Sequence, residues 1–105
     1  MSKVNAVELT QKLVRRQSYS GNEKGVSEEL TKFFKENGFD DVHVDKYGNT
    51  IGHIKGNRPG PKIVFDGHMD TVPVTDESEW QYPPFEAEIH DGKMYGRGTS
   101  DMKGA

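Results

Sequence analysis

The chain has 105 residues and a net charge of −3, which fits one small domain of residues 1–105. Leu, Ile, Val and Phe together make up 21 of the 105 residues, so we expect a thin hydrophobic core. The sequence has no apolar run long enough to span a membrane and no apolar segment typical of a signal peptide. It also lacks cysteine and any long run of Lys or Arg. These features argue against disulfides, thiolate ligands and nucleic-acid binding, and predict a soluble cytoplasmic protein.

The N-terminal third predicts two helices. Asn5, with Glu8 three residues later, resembles a capping box, and apolar residues then recur at helical spacing. Ser20 and Glu23 provide the start signal for a second helix, whose apolar stripe ends before Asn37 and Gly38. Gly38 can adopt the left-handed conformation that closes a helix.

After Gly38 the apolar period changes from helical to two, which is typical of strands. Val42 and Val44 predict a half-buried strand, and a turn over residues 47–49 leads into a returning strand at residues 50–55. Residues 62–66 are short, β-branched and apolar on both faces, which predicts a central buried strand.

A second hairpin is predicted near the C-terminal end of the chain. Phe85, Ala87 and Ile89 alternate with polar residues, and Asp91-Gly92 is typical of a type I′ turn. Helices followed by strands, with a buried strand among them, indicate an α/β or α+β layer, and we expect an α/β fold whose strands form a mixed sheet.

The first candidate site follows the predicted central strand. His68 and Asp70 are two residues apart, so in an extended chain they project to the same side. The carboxylate can then accept a proton from one imidazole nitrogen, which orients a metal-binding histidine and raises its basicity. The simpler interpretation is a surface histidine that is hydrogen-bonded to a turn aspartate, and the pattern alone favours it.

The second candidate is Asp101, in a glycine-rich segment that begins at Gly96. Its carboxylate is suited to bind one or two metal ions, although the pattern alone favours a role as the cap of a following helix. His43 and His90 lie on the polar phase of their strands, where we expect solvent exposure. Trp80 is either a loop anchor, which is the favoured interpretation, or a substrate platform, and its position next to Pro83-Pro84 fits both.

Taken together, these segments resemble one family closely. The motifs that carry the resemblance are Phe65-Asp66-Gly67-His68-Met69-Asp70-Thr71-Val72-Pro73, the Trp80 and Pro83-Pro84-Phe85 segment, and Asp91 to Gly104 with its Gly-Arg-Gly-Thr-Ser-Asp-Met-Lys-Gly ending. The chain is similar to the N-terminal part of the di-zinc aminoacylase-type metallopeptidases. This family includes acetylornithine deacetylase, succinyl-diaminopimelate desuccinylase, glutamate carboxypeptidases and dipeptidases.

The resemblance implies a role for each candidate residue. His68 would bind one zinc ion, Asp101 would bridge both metals, and Asp70 would belong to the catalytic site as the residue that orients His68. The implied reaction is hydrolysis of an amide bond in N-acyl amino acids or short peptides by a water activated between two Zn²⁺ ions, with Co²⁺ or Mn²⁺ as substitutes. The parent protein is expected to be a cytoplasmic homodimer that binds neither nucleic acid nor membranes.

The chain departs from the family pattern after Asp101. The family's Glu-Glu pair, its remaining ligands and its lid domain are not in this sequence, so we expect the 105-residue chain to be an inactive fragment of a hydrolase. The alternative is a non-catalytic product that acts as a binding or self-associating module.

Overall fold

The computed structural model describes residues 4–105. Residues 1–3, which entered the argument against a signal peptide, lie outside the described residues. The order of elements is two α-helices, a β-hairpin, a long irregular segment and a second β-hairpin. This confirms the α/β class, with two helices followed by strands, although the strands form two separate antiparallel pairs rather than one mixed sheet. Among the described residues, no helix has the length and apolar character needed to cross a bilayer.

Helix α1 spans Ala6–Val14 and begins as predicted. The Asn5 side chain accepts a hydrogen bond of 3.0 Å from the backbone N–H of Glu8, so it satisfies one of the free donors of the first turn. Glu8 then forms an ion pair with Lys12, one turn along the helix. Leu13 and Val14, at the end of the helix, are its buried residues.

Helix α2 spans Lys24–Glu36, and its end follows the sequence prediction. Gly38 has a φ of +75°, and the N–H of Phe39 donates to the carbonyl of Phe34 at 3.1 Å, which satisfies one of the last helical carbonyls. The rings of Phe34 and Phe39 stack with centroids 4.5 Å apart. The predicted start was wrong for Ser20, whose side chain does not cap this helix.

The first hairpin pairs β1, Asp41–Val44, with β2, Thr50–His53. Asp45 organises the turn because its carboxylate accepts hydrogen bonds from Tyr47 and Asn49. Gly52 lies directly beneath α2, where a Cβ atom would come within 2.8 Å of the Phe34 and Phe39 rings. The hairpin therefore packs against α2 through a position that has no room for a side chain.

The predicted central strand at residues 62–66 was wrong. Residues 54–70 have no regular secondary structure, and Ile63, Val64 and Phe65 lie at the surface. A buried strand needs neighbouring strands on both edges, and none of the described residues pairs with this segment.

The second hairpin pairs β3, Glu88–His90, with β4, Lys93–Tyr95. Asp91 and Gly92 both have positive φ values, which confirms the type I′ turn. The predicted alternation was wrong, however, because Ile89 is exposed whereas His90 is half-buried. The change follows Ala87, whose φ of +53° breaks the extended backbone just before the strand begins.

The buried apolar side chains are few, and α1 connects them. Among the described residues they are Leu13, Val14, Val26 and Ala87, together with Pro84. Gln11 in α1 and Arg15 just after it donate hydrogen bonds to the backbone carbonyls of Ala87 and Glu86, which lead into β3. Lys103, after β4, donates to the Arg16 carbonyl, and Thr71, after His68, donates to the Ser18 carbonyl, so both segments are held just beyond the end of α1.

Candidate metal centre

His68 lies in the irregular segment and contacts carboxylates through both ring nitrogens. Its Nδ1 is 3.0 Å from the Asp70 carboxylate and 3.0 Å from the Asp70 carbonyl oxygen. Its Nε2 is 3.0 Å from Oδ1 of Asp101. The structure thus brings all three sequence-predicted site residues together around one imidazole ring.

Asp70 is held by a residue that sequence reasoning assigned elsewhere. The Ser20 hydroxyl donates a 2.5 Å hydrogen bond to Oδ2 of Asp70, while Oδ1 of the same carboxylate faces His68. The Ser20 hydrogen bond is the main cause that lowers the pKa of Asp70 below 3.8, and the nearby His68 adds to it. Asp70 therefore remains an anion, and its orientation is fixed from both sides.

Backbone contacts explain why Ser20 reaches Asp70. The N–H of Thr71 donates to the Ser18 carbonyl at 2.8 Å, and the buried Ser18 hydroxyl donates to the Met69 carbonyl at 2.8 Å. Tyr19 and Thr71 thereby form a short parallel bridge. The segment between the helices runs beside residues 69–71, a pairing over about fifty residues that no local sequence signal reveals.

Asp101 reaches His68 from a series of turns that follows β4. Residues 96–104 form turns, so Asp101 caps no helix within the described chain. Its side chain is 88% exposed and points to His68. The peptide bond that follows it, to Met102, is cis.

Met102 is a second residue that sequence reasoning missed. Its sulfur accepts a hydrogen bond from the backbone N–H of His68 at 3.3 Å. A Cβ atom on Gly67 would come within 2.8 Å of the Met102 methyl group. A side chain at position 67 would displace this contact, so the turn segment and the His68 segment fit together through a glycine.

The protonation of His68 follows from these contacts. A carboxylate only accepts hydrogen bonds, so the contacts at Nδ1 and Nε2 are both satisfied when the ring carries two protons. The hydrogen bond with Asp101 is the main cause that raises the pKa of His68 above 6.5, and the Asp70 carbonyl adds to it. The Nε2 contact with Asp101 joins two atoms that are both potential metal donors.

The donor atoms fit a zinc ion in kind and in spacing. Imidazole nitrogen and carboxylate oxygen are both common zinc ligands, and two such ligands on a tetrahedral ion lie roughly 3.3 Å apart. The observed distance of 3.0 Å between His68 Nε2 and Asp101 Oδ1 is close to that value. There are too few donors for a complete metal site, because no group of three His, Cys, Asp or Glu residues suited to a metal occurs within residues 4–105.

A cleft of about 260 Å³ adjoins these residues. Its wall is formed by residues 68, 70–72 and 96–101. The guanidinium of Arg97 lies over the Trp80 ring, 4.9 Å from its centroid, so Trp80 contacts the cleft wall as an anchor for that arginine. Two buried polar atoms of the wall, Thr71 Oγ1 and Arg97 Nε, have no hydrogen-bond partner in the described part of the protein.

The remaining candidate histidines lie away from this centre. His43 is exposed, as predicted, and its nearest carboxylate is that of Asp41 at 3.9 Å. The expectation that His90 is solvent-exposed was wrong, because its ring stacks on Tyr82 with centroids 3.8 Å apart and its Nε2 contacts Glu88. The backbone conformation of Ala87 reverses the alternation along β3, so the face that carries His90 is turned inward.

Comparison with known families places the site within a recognised sequence pattern. Residues 64–105 match the family model described as Peptidase family M20/M25/M40. The matched range contains His68, Asp70 and Asp101, together with the cleft and the second hairpin, whereas both helices and the first hairpin lie outside it. The segment that forms the candidate metal centre is therefore similar to the M20/M25/M40 family of peptidases.

Proposed function

We propose that this chain contributes part of the active site of a metal-dependent peptidase or amidohydrolase. The observation that carries the proposal is the convergence of His68 Nε2 and Asp101 Oδ1, 3.0 Å apart, within the segment that matches a peptidase family. In this proposal His68 and Asp101 are metal ligands. Asp70 is a positioning residue that orients the His68 ring, and Ser20 in turn fixes Asp70.

The metal proposed is zinc, with two ions in the complete site and Co²⁺ or Mn²⁺ as substitutes. Bound zinc supplies a Lewis acid for the amide carbonyl and acidifies water at neutral pH. The residues of this chain would orient and supply the metal ligands. Asp70 would accept the Nδ1 proton of His68, so that Nε2 could bind the metal, and Asp101 would provide an oxygen donor beside it.

The substrates proposed are N-acyl amino acids or short peptides with a free carboxylate, as for deacetylases and desuccinylases. The guanidinium of Arg97 in the cleft wall supports a substrate with a carboxylate, because arginine binds carboxylates through paired hydrogen bonds. The proposal includes a cytoplasmic homodimer as the parent enzyme.

The 105-residue chain by itself is proposed to be inactive. A catalytic zinc site generally needs about three protein ligands in addition to water, and the described residues bring together two. Zinc binding by this chain is therefore expected to be micromolar or weaker. The exposed 62–66 segment favours a second role, self-association, that does not depend on hydrolysis.

The experiment that tests the metal assignment is a calorimetric titration of the chain with Zn²⁺. We expect weak binding in the wild type, loss of binding in His68→Ala and Asp101→Asn, and unchanged binding in the control His43→Ala. His43 is an exposed histidine outside the centre, so it controls for non-specific coordination. Nanomolar binding, or binding that survives His68→Ala, would contradict the ligand assignment.

Activity is tested on a longer chain that contains this segment and the remaining ligands. With added zinc or cobalt it should hydrolyse N-acyl amino acids, and His68→Ala should abolish that hydrolysis. Full activity of His68→Ala would show that the metal centre lies elsewhere.

A further inference from the structure

The side chain of Asp101 makes few contacts of its own. Its carboxylate is 88% exposed, and within residues 4–105 its one hydrogen-bonding partner is Nε2 of His68, at 3.0 Å. A single contact between two exposed side chains does not hold them in one arrangement, because holding both costs side-chain entropy. Other contacts between the two segments must therefore set the separation of these side chains.

Met102, the next residue, makes a second contact between the same two segments. Its sulfur accepts a hydrogen bond from the backbone N–H of His68 at 3.3 Å. Residues 101 and 102 are consecutive, and both contacts end on the same histidine. The two contacts therefore close a small ring, which restricts how far one segment can rotate or slide along the other.

Lys103 holds the backbone of Met102 from the other side. Lys103 is 7% exposed, and its backbone N–H donates to the Gly98 carbonyl at 2.8 Å. Its ammonium donates to the Arg16 carbonyl, also at 2.8 Å, so the turn is tied to the chain just after α1. A thioether is a weak hydrogen-bond acceptor, so its contact with His68 depends on this anchored backbone for its geometry.

Gly67 completes the contact on the His68 side. A Cβ atom at this position would come within 2.8 Å of the Met102 methyl group and 3.2 Å of the Met102 sulfur. The φ of Gly67 lies outside the left-handed region, so the need for glycine at this position is steric. Any side chain at position 67 would push the thioether away from the His68 N–H.

We propose that Met102 is a positioning residue that sets the separation of His68 Nε2 from Asp101 Oδ1. In this role the thioether binds no metal. It acts through the backbone of His68 and through its own peptide link to Asp101. The metal-binding role of this pair rests on the proposed function, whereas the positioning is a property of the chain without metal.

Nitrogen-15 NMR of the His68 imidazole tests the proposal in the 105-residue chain without metal. At about pH 5 the ring carries both protons, and Asp101→Ala gives the Nε2 resonance expected when the carboxylate contact is lost. Met102→Ala should move the Nε2 resonance most of the way to that position. The Nδ1 resonance should stay near its wild-type value, because the Asp70 contact is local and does not involve Met102.

Exchange of the His68 amide hydrogen gives a second signal. Loss of the sulfur acceptor in Met102→Ala should speed this exchange roughly fivefold to tenfold. The matched control is Met94→Ala, which removes a half-buried methionine of β4 and should change neither the exchange rate nor the ring resonances of His68.

Gly67→Ala tests the same contact from the opposite side. The added methyl group should displace the thioether, so it should produce the same Nε2 shift and the same faster amide exchange as Met102→Ala. In the Met102→Ala background the space beside position 67 is vacant, and Gly67→Ala should then change neither signal further. A general loss of stability would instead give additive effects.

Three results would each overturn the proposal: an Nε2 resonance unchanged in both variants, equal shifts at both ring nitrogens, or additive effects of the two substitutions. Circular dichroism checks that each variant is folded. If Met102→Ala unfolds, Gly67→Ala, which retains the whole Met102 side chain, decides the outcome by its effects on Nε2 and Nδ1.

A zinc titration separates this inference from the proposed function. The weak binding of Zn²⁺ expected for the wild type should fall about tenfold in Met102→Ala, as for other residues that orient metal ligands. A wild-type chain that binds no zinc would contradict the proposed function, whereas the NMR result on His68 and Asp101 would still decide the positioning role.

Discussion

At the scale of single residues, short hydrogen bonds to carboxylates organise this protein even where it is exposed. Asp45 accepts bonds of 2.9 Å from the backbone N–H groups of Tyr47 and Asn49 and from the Asn49 side chain. The Asn49 side-chain amide is the largest cause that lowers the pKa of Asp45 below 3.8, followed by the Asn49 backbone N–H. The hairpin turn therefore depends on a charged carboxylate.

This contact predicts a pH dependence of stability. Because the pKa of Asp45 is lower in the folded chain, its contribution is fully present above the unfolded value of 3.8 and is lost as the pH falls through the folded value. Urea unfolding of dilute protein at several pH values should show Asp45→Asn less stable than the wild type at pH 7. The difference should shrink steadily in the acid range.

The Asn49→Ala background provides the matched control. It removes the hydrogen bond that lowers the pKa of Asp45 most. In this background Asp45→Asn should therefore reduce the free energy of unfolding less than in the wild type, and the pH dependence of the difference should be weaker. A stability difference that is constant down to low pH would contradict the role of the charge.

The residues of the metal centre show what spacing can and cannot predict. The two-residue spacing of His68 and Asp70 predicted that their side chains could meet, because the relation is local. The contacts of His68 with Asp101 and of Asp70 with Ser20 span 33 and 50 residues. Spacing carries no information about them: Asp101 was an isolated candidate ligand, and only the resemblance to a family joined it to His68. Ser20 was misassigned because its local pattern matched a helix cap.

At the scale of elements, two glycines support the junction of α2 with the first hairpin for different reasons. Gly38 has a φ of +75° and open space around its Cα, so its role is conformational. Gly52 lies where a Cβ would come within 2.8 Å of two aromatic rings, so its role is steric. At position 38 the backbone conformation disfavours a side chain, and at position 52 the packing leaves no room for one.

Alanine substitutions should separate these causes. Gly38→Ala should destabilise the fold by about 1–2 kcal/mol because a Cβ disfavours the left-handed region. Gly52→Ala should cost about 1–3 kcal/mol because Phe34 and Phe39 must move. The control Gly60→Ala meets open space at an ordinary φ and should change the free energy of unfolding little. Gly38→Asn should recover part of the loss at position 38, whereas no gain there would contradict the conformational explanation.

Local signals predicted the elements that depend on local contacts. The Asn5 cap, the Gly38 terminus and the Asp91-Gly92 turn each rest on contacts within a few residues, and each formed as predicted. The 62–66 strand was predicted from composition alone, but a strand exists only when another strand pairs with it. The alternation in β3 failed because one backbone angle, at Ala87, reverses which face is buried.

At the scale of the whole molecule, α1 connects two halves of the fold. The N-terminal half contains the helices and the first hairpin, and the C-terminal half contains the second hairpin and the turns after it. Val14 of α1 is fully buried, and a Cβ on Gly96 would come within 2.8 Å of it. The Lys103 ammonium donates to the carbonyl of Arg16, just after the helix, at 2.8 Å, and burial lowers the pKa of this lysine to about 8. The radius of gyration is 15.3 Å, larger than the roughly 13 Å typical of a domain this size. The chain is therefore loosely packed around a small core.

If α1 is the common support, the two halves should unfold together. Far-ultraviolet circular dichroism follows the helices, and fluorescence of Trp80, the sole tryptophan, follows the C-terminal half. The two urea transitions should coincide in the wild type. Val14→Ala should shift both by the same amount, about 1–3 kcal/mol, since Val14 is fully buried in α1 and lies against Gly96 of the C-terminal half. Val7→Ala, on the same helix but 53% exposed, should shift neither by more than about 0.5 kcal/mol. Separate transitions, or a Val14→Ala effect confined to one signal, would mean that the halves are stabilised independently.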